Sequence, residues 1–581
     1  MFKKNNKHQQ PALISAASEL PEKQRKRLEN SWAGTFYQEF FCRIDETVFA
    51  VLYSEEGSRP NVAVNVLVGL DALKAGHGWS DEELYENFCY NLQVRYALGY
   101  DRLGDGDFEI RSLYYFRERM RKYNAEKGVN LLEKAFEQIT DAQIVALKVR
   151  TGMQRMDSTQ IASNIVWAGR LQLLVEAVQR VERILSDAHK LRLAETLAPY
   201  TKDSSGHYTY RVKGKDALQE HLQKIGQTIH TLLVELKTGY ATKNAYQILE
   251  RIFTENFELL EQGPRTKENA EITSSCLQSV DDLEATYHAK GVGQYKGYVA
   301  NITETCDAEN ELQLITKVQV APNNIDDTQL LAEALPNLKE RTNVETMITD
   351  GGYGGEVSDL ALQLQNVKLV QTAIRGLQPN QAKFNLADFD LQTDEQGNPS
   401  KLTCPAGQTT VPTITRTGRW QARFDPVFCS TCPFQTSERC RAQAHIRDPR
   451  YLLAFDSQDV LTAKRRREYL AHKANGHNLR SAVEATVRSV KHPFPAGKVP
   501  VRGQHRVTCM TIASAATANV RRIHRYLEAK AKALLTAKIT ENEAYCPSNT
   551  KPVSFLTFFS AQISGWLFPK FAFTPLSFVK V

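Results

Sequence analysis

Three carboxylates stand where phosphoryl-transfer chemistry would want them. Asp157 sits in Arg155-Met156-Asp157-Ser158-Thr159, at the polar end of a strand-like run. Asp350 follows the apolar Met347-Ile348-Thr349 and opens the glycine-rich Gly351-Gly352-Tyr353-Gly354-Gly355. Strand ends fix a side chain more firmly than loops, and glycines let a phosphate or metal approach the backbone closely. Glu484 belongs to a basic helical segment in which His477, Arg480, Glu484 and Lys491 fall at offsets of three, four and seven, hence on one face, while Arg488 adds a further positive charge. Any one of these acids alone reads as a surface acid or a helix cap. Together they could hold two Mg²⁺ (or Mn²⁺) ions about 3.5–4 Å apart, the arrangement that activates a nucleophile and stabilises the leaving oxygen in an in-line displacement. Arg and Lys beside them would hold the phosphates and offset the negative charge. The neighbouring acids Asp281, Asp282, Glu284, Asp326 and Asp327 read as solvated or capping residues.

A second constellation is built on sulfur. Cys404, Cys429, Cys432 and Cys440 include a Cys-x2-Cys knuckle, the spacing with which two thiolates grip one tetrahedral ion. The four predict a structural Zn²⁺ site, with His445 as an alternative fourth ligand, in a segment whose thin apolar complement would need such a staple. Four reduced thiols without metal are the bland alternative. The other six cysteines are scattered and read as ordinary thiols.

The elements that must position these residues follow from hydrophobic period. Met153–Ile161, Gly297–Thr303 and Leu312–Ala321 read as strands. A helix beginning near Asp326, a strand Val344–Thr349, a second helix and a strand Val367–Ile374 follow. Three strands, helix, strand, helix, strand is a mixed α/β layer that matches the ribonuclease H-like order. Between Ile165 and Leu260 the chain turns long-helical. Leu171, Leu174, Val178, Val181 and Leu185, then Leu218, Leu222, Ile225, Ile229, Leu232 and Leu236, alternate steps of three and four and predict the core stripes of a helical hairpin or bundle. Upstream, Val62–Ala75 stops at Gly76 and Gly78, and Ser80 with Glu83 forms a capping box for the next helix, a pairing that fits a helix-turn-helix or an ordinary helical hairpin. Ile110, Leu113, Phe116 and Met120 mark the buried stripe of a further helix. Its Arg117, Arg119, Arg121 and Lys122 predict DNA contact or a solvated basic face.

These readings divide the 581 residues into a basic flexible arm (1–30), a helical N-terminal DNA-binding domain (31–142), and a catalytic core (143–164, 285–376 and 465–530). The core is interrupted by a helical insertion (165–284) and a Cys-rich insertion (377–464), and a C-terminal tail (531–581) follows. Net charge is only +7, but Arg441–Lys532 carries nineteen Lys/Arg against six Asp/Glu, an excess that repels itself unless a polyanion is near. The apolar stretch Phe555–Val581 is broken by Gln562, Ser564, Pro569, Lys570 and Pro575, which argues against a membrane span. No apolar run follows the charged start, and the cysteines form no secreted framework, so a cytoplasmic, nucleoid-associated protein is expected.

The motifs Asp157-Ser-Thr, Thr-Asp350-Gly-Gly-Tyr353 and Arg480-x3-Glu484-x6-Lys491 resemble those of bacterial insertion-sequence DDE transposases, whose signature carries a tyrosine where this chain has His477. The group numbered eleven eighty-two is the most similar. Its members share a helical N-terminal domain, an Asn- and Arg-Leu-containing helix after the first aspartate (here Asn164 and Arg170-Leu171) and a second strand like Lys296–Asp307. The resemblance spans roughly residues 30–530. It implies metal-dependent cleavage of transposon ends and joining of the 3′-hydroxyl to target DNA by Asp157, Asp350 and Glu484. It further implies DNA contacts from Tyr353, Arg480, Arg488 and Lys491, and a homodimer or larger assembly on terminal inverted repeats. The rival readings are a ribonuclease H-like nuclease that only hydrolyses and a catalytically inactive descendant that only binds DNA.

Overall fold

The computed structural model describes residues 1–9, 17–54, 60–100, 104–373, 382–394, 397–445, 448–474 and 481–544. His477, Arg480 and the apolar stretch from Phe555 onward lie outside them. Residues 1–524 form one compact unit and 525–581 a second. Of the second, the described part is the helical stretch up to Ala544.

The compact unit is organised on a mixed sheet. Its central strand β1 (Met153–Ile161) is followed by the helical insertion, which ends in a hairpin of β2 (Phe257–Leu260) and β3 (Gly263–Thr266). The sheet resumes with β4 (Thr286–Lys290), β5 (Gly293–Thr305), β6 (Ile315–Pro322), β7 (Thr346–Thr349) and β8 (Lys368–Gln371). β5 is antiparallel to β1 and to β6, while β7 runs parallel to β1 and β8 parallel to β7. Parallel neighbours need crossovers, and the helices Asp327–Thr342 and Glu356–Leu364 supply them. The order β6-β5-β1-β7-β8 is compatible with a ribonuclease H-like core. All five expected strands form, with ends shifted by a few residues; the expected end of the last, Ile374, lies outside the described residues.

The insertion has its own core. The expected stripes are buried from Leu171 to Leu185 and from Leu222 to Leu236, and only Leu218, at the open end, is left exposed.

The helix Val64–His77, expected within a helix-turn-helix or an ordinary helical hairpin, is buried along its length from Val64 to Gly76, so it is a central packing element of the N-terminal region. It ends at Gly78, whose positive φ of 73° only glycine adopts cheaply, and the predicted Ser80–Glu83 capping box opens the next helix. The start of the chain is also folded onto this region. The backbone N–H of Asn5 donates to the buried Glu46 carboxylate, which also accepts from Val64 and Asn65 at the start of that helix. The carbonyl of His8 accepts from the Tyr37 hydroxyl. Lys3, Lys4 and Lys7 thus belong to an anchored segment, because a carboxylate as buried as Glu46 recruits every donor within reach.

The helix Gln504–Ala544 threads its first half through the interior. Asn519 bonds both the N–H and the carbonyl of Ile315 on β6, Thr517 donates to Ala72 in the buried N-terminal helix, and Ser514 donates to Val490. One hydrophobic core therefore joins the N-terminal helices, β5, β6 and this helix.

Candidate active site

The pairing of β1 with β7 decides where the first two carboxylates go. Gln154 lies beside Met347 and Arg155 beside Ile348. Continued by two residues, that register sets Asp350 beside Asp157. Both line one small cavity with Arg155, Met156, Ile348, Thr349, Thr372 and Val483. Asp350 is held by its own turn, for its carboxylate accepts from the N–H of Gly352 at 2.8 Å and caps the tight turn Gly351–Tyr353. Thr349 Oγ1 and Gln371 Nε2 both donate to the Asp350 carbonyl, so the backbone is fixed from both sides.

Glu484 lies on the helix Ser481–Lys491, which packs over β1. Val483, Thr486 and Val490 form its buried face, and Val483 reaches the cavity shared by Asp157 and Asp350. Glu484 itself is exposed and is not among the residues that line this cavity. Among the described residues no three His, Cys, Asp or Glu side chains are spaced to hold one ion. Asp157 and Asp350 are the two acids that the sheet itself brings together.

A third acid, expected from the sequence to be solvated or capping, lies close to Asp350. Asp327 is the first residue of the crossover helix, next to Asp326, which does the capping by accepting from Thr328. A Cβ placed on Gly352 would lie 2.8 Å from Oδ2 of Asp327 and 3.0 Å from Oδ1 of Asp350. The two carboxylates therefore converge on the gap that glycine leaves open. Burial raises the Asp327 pKa, the Ser158 hydroxyl opposes that by hydrogen bonding, and the negative Asp350 and Asp326 raise it further. The signal available in sequence was weak, since the first of two adjacent acids before a helix reads as the cap and the second as solvated.

The expected positive partners divide. Tyr353 is fully buried, its hydroxyl donating to Asn301 Oδ1 at 2.7 Å, so it cannot touch DNA. Its role is to support the site from behind, since Asn301 pairs in register with Ser158 and also donates to Gln319. Arg117 is likewise corrected. It forms ion pairs with Asp71 at 2.5 Å and Asp81 at 2.8 Å. Against the pull of burial, the two acids hold its pKa above the ordinary value. Those partners come from the two upstream helices, so this arginine locks three helices together. Arg121 pairs with Glu118 one turn away, whereas Arg119 is exposed with its guanidinium over the Tyr53 ring. Lys491 donates to Thr159 Oγ1 and to the carbonyl of Gln160 at 2.7 Å, so it docks the helix onto β1. Burial lowers its pKa. Arg488 is exposed. Asp282, expected to be solvated, is 1% exposed and accepts from Tyr298, Ser163 and the Gly503 N–H.

The four cysteines fall in a region of two small sheets packed on Phe389, Leu402, Phe424 and Leu453. Burial and then the proximity of Cys440, Cys404 and Cys432 push the Cys429 thiol up to about 11. The sulfurs are thus neighbours, although no three of them are spaced as ligands of one ion among the described residues. The backbone of His445 pairs with Asp448.

Residues 403–524 match the family described as a transposase DDE domain. That match supports a DDE transposase. It covers the cysteines, the Glu484 helix and the buried half of the last helix, but neither Asp157 nor Asp350. No curated protein and no solved structure matches the chain.

The state of Asp327 makes a pH prediction. A carboxylate whose folded pKa is raised binds protons more tightly when folded, so it lowers stability above that pKa, and the penalty vanishes below the unfolded value near 3.9. Asp327→Asn should therefore raise the melting temperature at pH 7 and leave it nearly unchanged at pH 3.5. Thermal unfolding at the two pH values checks this, and a variant less stable at pH 7 would contradict it.

Proposed function

We propose that this chain is a DNA transposase that cleaves the ends of an insertion sequence and joins them to target DNA by metal-dependent phosphoryl transfer. The observation that carries the reading is the placing of Asp157 and Asp350 on adjacent parallel strands beneath a helix that lies in a transposase DDE match. Asp157, Asp350 and Glu484 are the residues that would hold Mg²⁺ or Mn²⁺, two ions per site. Asp157 and Asp350 supply side by side the carboxylate oxygens that hard divalent ions prefer, where mutual repulsion favours a cation. When bound, such ions supply Lewis-acid stabilisation of charge on the attacking and leaving oxygens.

The chain's own residues do the positioning. β1 and the Gly352 turn fix the two aspartates before substrate arrives, and preorganised groups of this kind reorganise little during reaction. Asp327 extends the negative pocket from the far side of Gly352. Arg488 on the glutamate helix and Arg119 and Arg121 on the helix Ile110–Lys127 are proposed phosphate contacts, as is Arg480, which lies outside the described residues. Two transposon ends must be held at once, so a homodimer or larger assembly on terminal inverted repeats is part of the reading, as is a site of action on nucleoid DNA in the cytoplasm. Among the described residues no helix is long and apolar enough to cross a membrane.

The assay is joining of end oligonucleotides with free 3′-hydroxyls into plasmid. Wild type should join them, and Asp157→Asn, Asp350→Asn and Glu484→Gln should each lose activity by a factor on the order of 10³ or more while still binding ends. Hydrolysis with no joining would favour a nuclease instead. For the cysteines we propose one structural Zn²⁺ held by Cys404, Cys429, Cys432 and Cys440. Metal analysis should find about one zinc per chain, and a zinc-free folded protein would refute the site.

A further inference from the structure

Glu304 has no exposure to solvent and no apolar excuse for being there. It stands on β5 directly opposite Arg155 of β1, and its two oxygens serve three donors from three elements. Oε1 accepts from Arg155 Nε at 2.6 Å. Oε2 accepts from Thr486 Oγ1 at 2.6 Å and from Arg522 Nη1 at 2.7 Å. Arg522, on the last helix, also donates to Thr486 Oγ1 and to the carbonyl of Gln313. Two arginines and one glutamate leave the cluster with a net positive charge, and its Arg155 shares the cavity of the two aspartates.

The placing of this cluster is what gives it consequence. Arg155 lies two residues before Asp157 on the same face of β1 and lines the same cavity. Thr486 lies two residues after Glu484. Lys491 fastens the far end of the same helix to Thr159 and Gln160, on β1 beyond Asp157. The glutamate helix is therefore tied to the sheet at two points that straddle Asp157, through Glu304 of β5 to Arg155 on one side and directly to Thr159 and Gln160 of β1 on the other. Only the first of them passes through a buried charge.

We propose that Glu304 and Thr486 are positioning residues that set the distance between Glu484 and the Asp157–Asp350 pair. The inference rests on the transposase reading for its catalytic consequence, but the anchoring itself is independent of it. A buried carboxylate paired with two arginines resists displacement, because moving either arginine strands charge, and the Thr486 hydroxyl ties its helix to that fixed carboxylate. The helix can slide or tilt only if Thr486 lets go.

The test uses the full chain with Thr486→Val, which keeps the shape and deletes the hydroxyl, Thr486→Ser, which restores it, and Glu304→Gln. Because Arg155 and Arg522 still satisfy Glu304 in the valine variant, that variant should fold with an unchanged melting temperature. Hydrogen exchange should speed up in residues 481–491 alone, and β1 should stay protected. Joining of 3′-hydroxyl ends should fall in kcat by a factor on the order of 10², the scale of a misplacement of about 1 Å, with KM for ends unchanged, and serine should recover it. Unchanged exchange over 481–491 in the valine variant overturns the anchor. Faster exchange with wild-type kcat overturns the positioning role. A loss of activity that tracks a lowered melting temperature, with β1 exchanging faster too, reduces the cluster to plain scaffolding and also overturns it. If wild type joins no DNA, the transposase reading fails, and the exchange result alone decides whether Thr486 holds the helix.

Discussion

A carboxylate that cannot reach water must find a partner for every lone pair it keeps, and the architecture around Glu304 follows from that need. β5 brings it, β1 answers with Arg155, the last helix with Arg522, and the glutamate helix with Thr486. Removing one of the charged partners, Arg155 or Arg522, would leave the buried carboxylate undercompensated, at a cost of about 3–5 kcal/mol. An apolar replacement of the whole set could be just as stable. What it could not do is specify one mutual arrangement of four elements that are far apart in sequence. The same logic recurs at Lys317, buried on β6 between Glu133 and Glu137 of the N-terminal helices, and at Asn519, which binds the backbone of Ile315. The N-terminal helices, the sheet and the last helix therefore share one core.

How much of this was legible in the sequence depended on whether the cue was local. β1 could be read to the residue because its alternation and polar end are local properties. Asp350 was legible because an apolar strand meeting a glycine turn is a local signature. The insertion's stripes were legible for the same reason, and only Leu218 at the helix entrance failed to find a partner. Local cues failed where a partner lay far along the chain. Arg117 resembles its basic neighbours Arg119 and Arg121, and nothing nearby says that Asp71 and Asp81 will claim it. Tyr353 carries a hydroxyl beside a catalytic motif, yet the sheet delivers Asn301 to that hydroxyl from behind. Asp327 was hidden beside Asp326, because only the fold shows which of two adjacent acids caps the helix and which turns toward Asp350.

The positive face available to a polyanion is correspondingly smaller than composition suggested. Several of the basic residues between Arg441 and Lys532 act inward. Arg465 pairs with Asp359, Arg467 binds the carbonyls of Ala387, Phe389 and Leu391, and Lys491, Lys498 and Arg522 bind groups within the core. Charge counted in sequence thus mixes two functions, fastening insertions to the sheet and facing solvent. Arg488 and Arg506 are on the exposed side of that division.

In the proposed function Asp157 and Asp350 would be ligands of a hard divalent ion during strand transfer. A sulfur ligand suits magnesium poorly, whereas softer ions tolerate it better. The direct measurement is end joining by Asp157→Cys and Asp350→Cys, each in magnesium and in manganese, with the melting temperature of each variant as a control for folding. The account predicts that both folded variants lose joining in magnesium and recover part of it in manganese. Undiminished joining in magnesium by either variant would show that its carboxylate holds no ion, and would contradict the account.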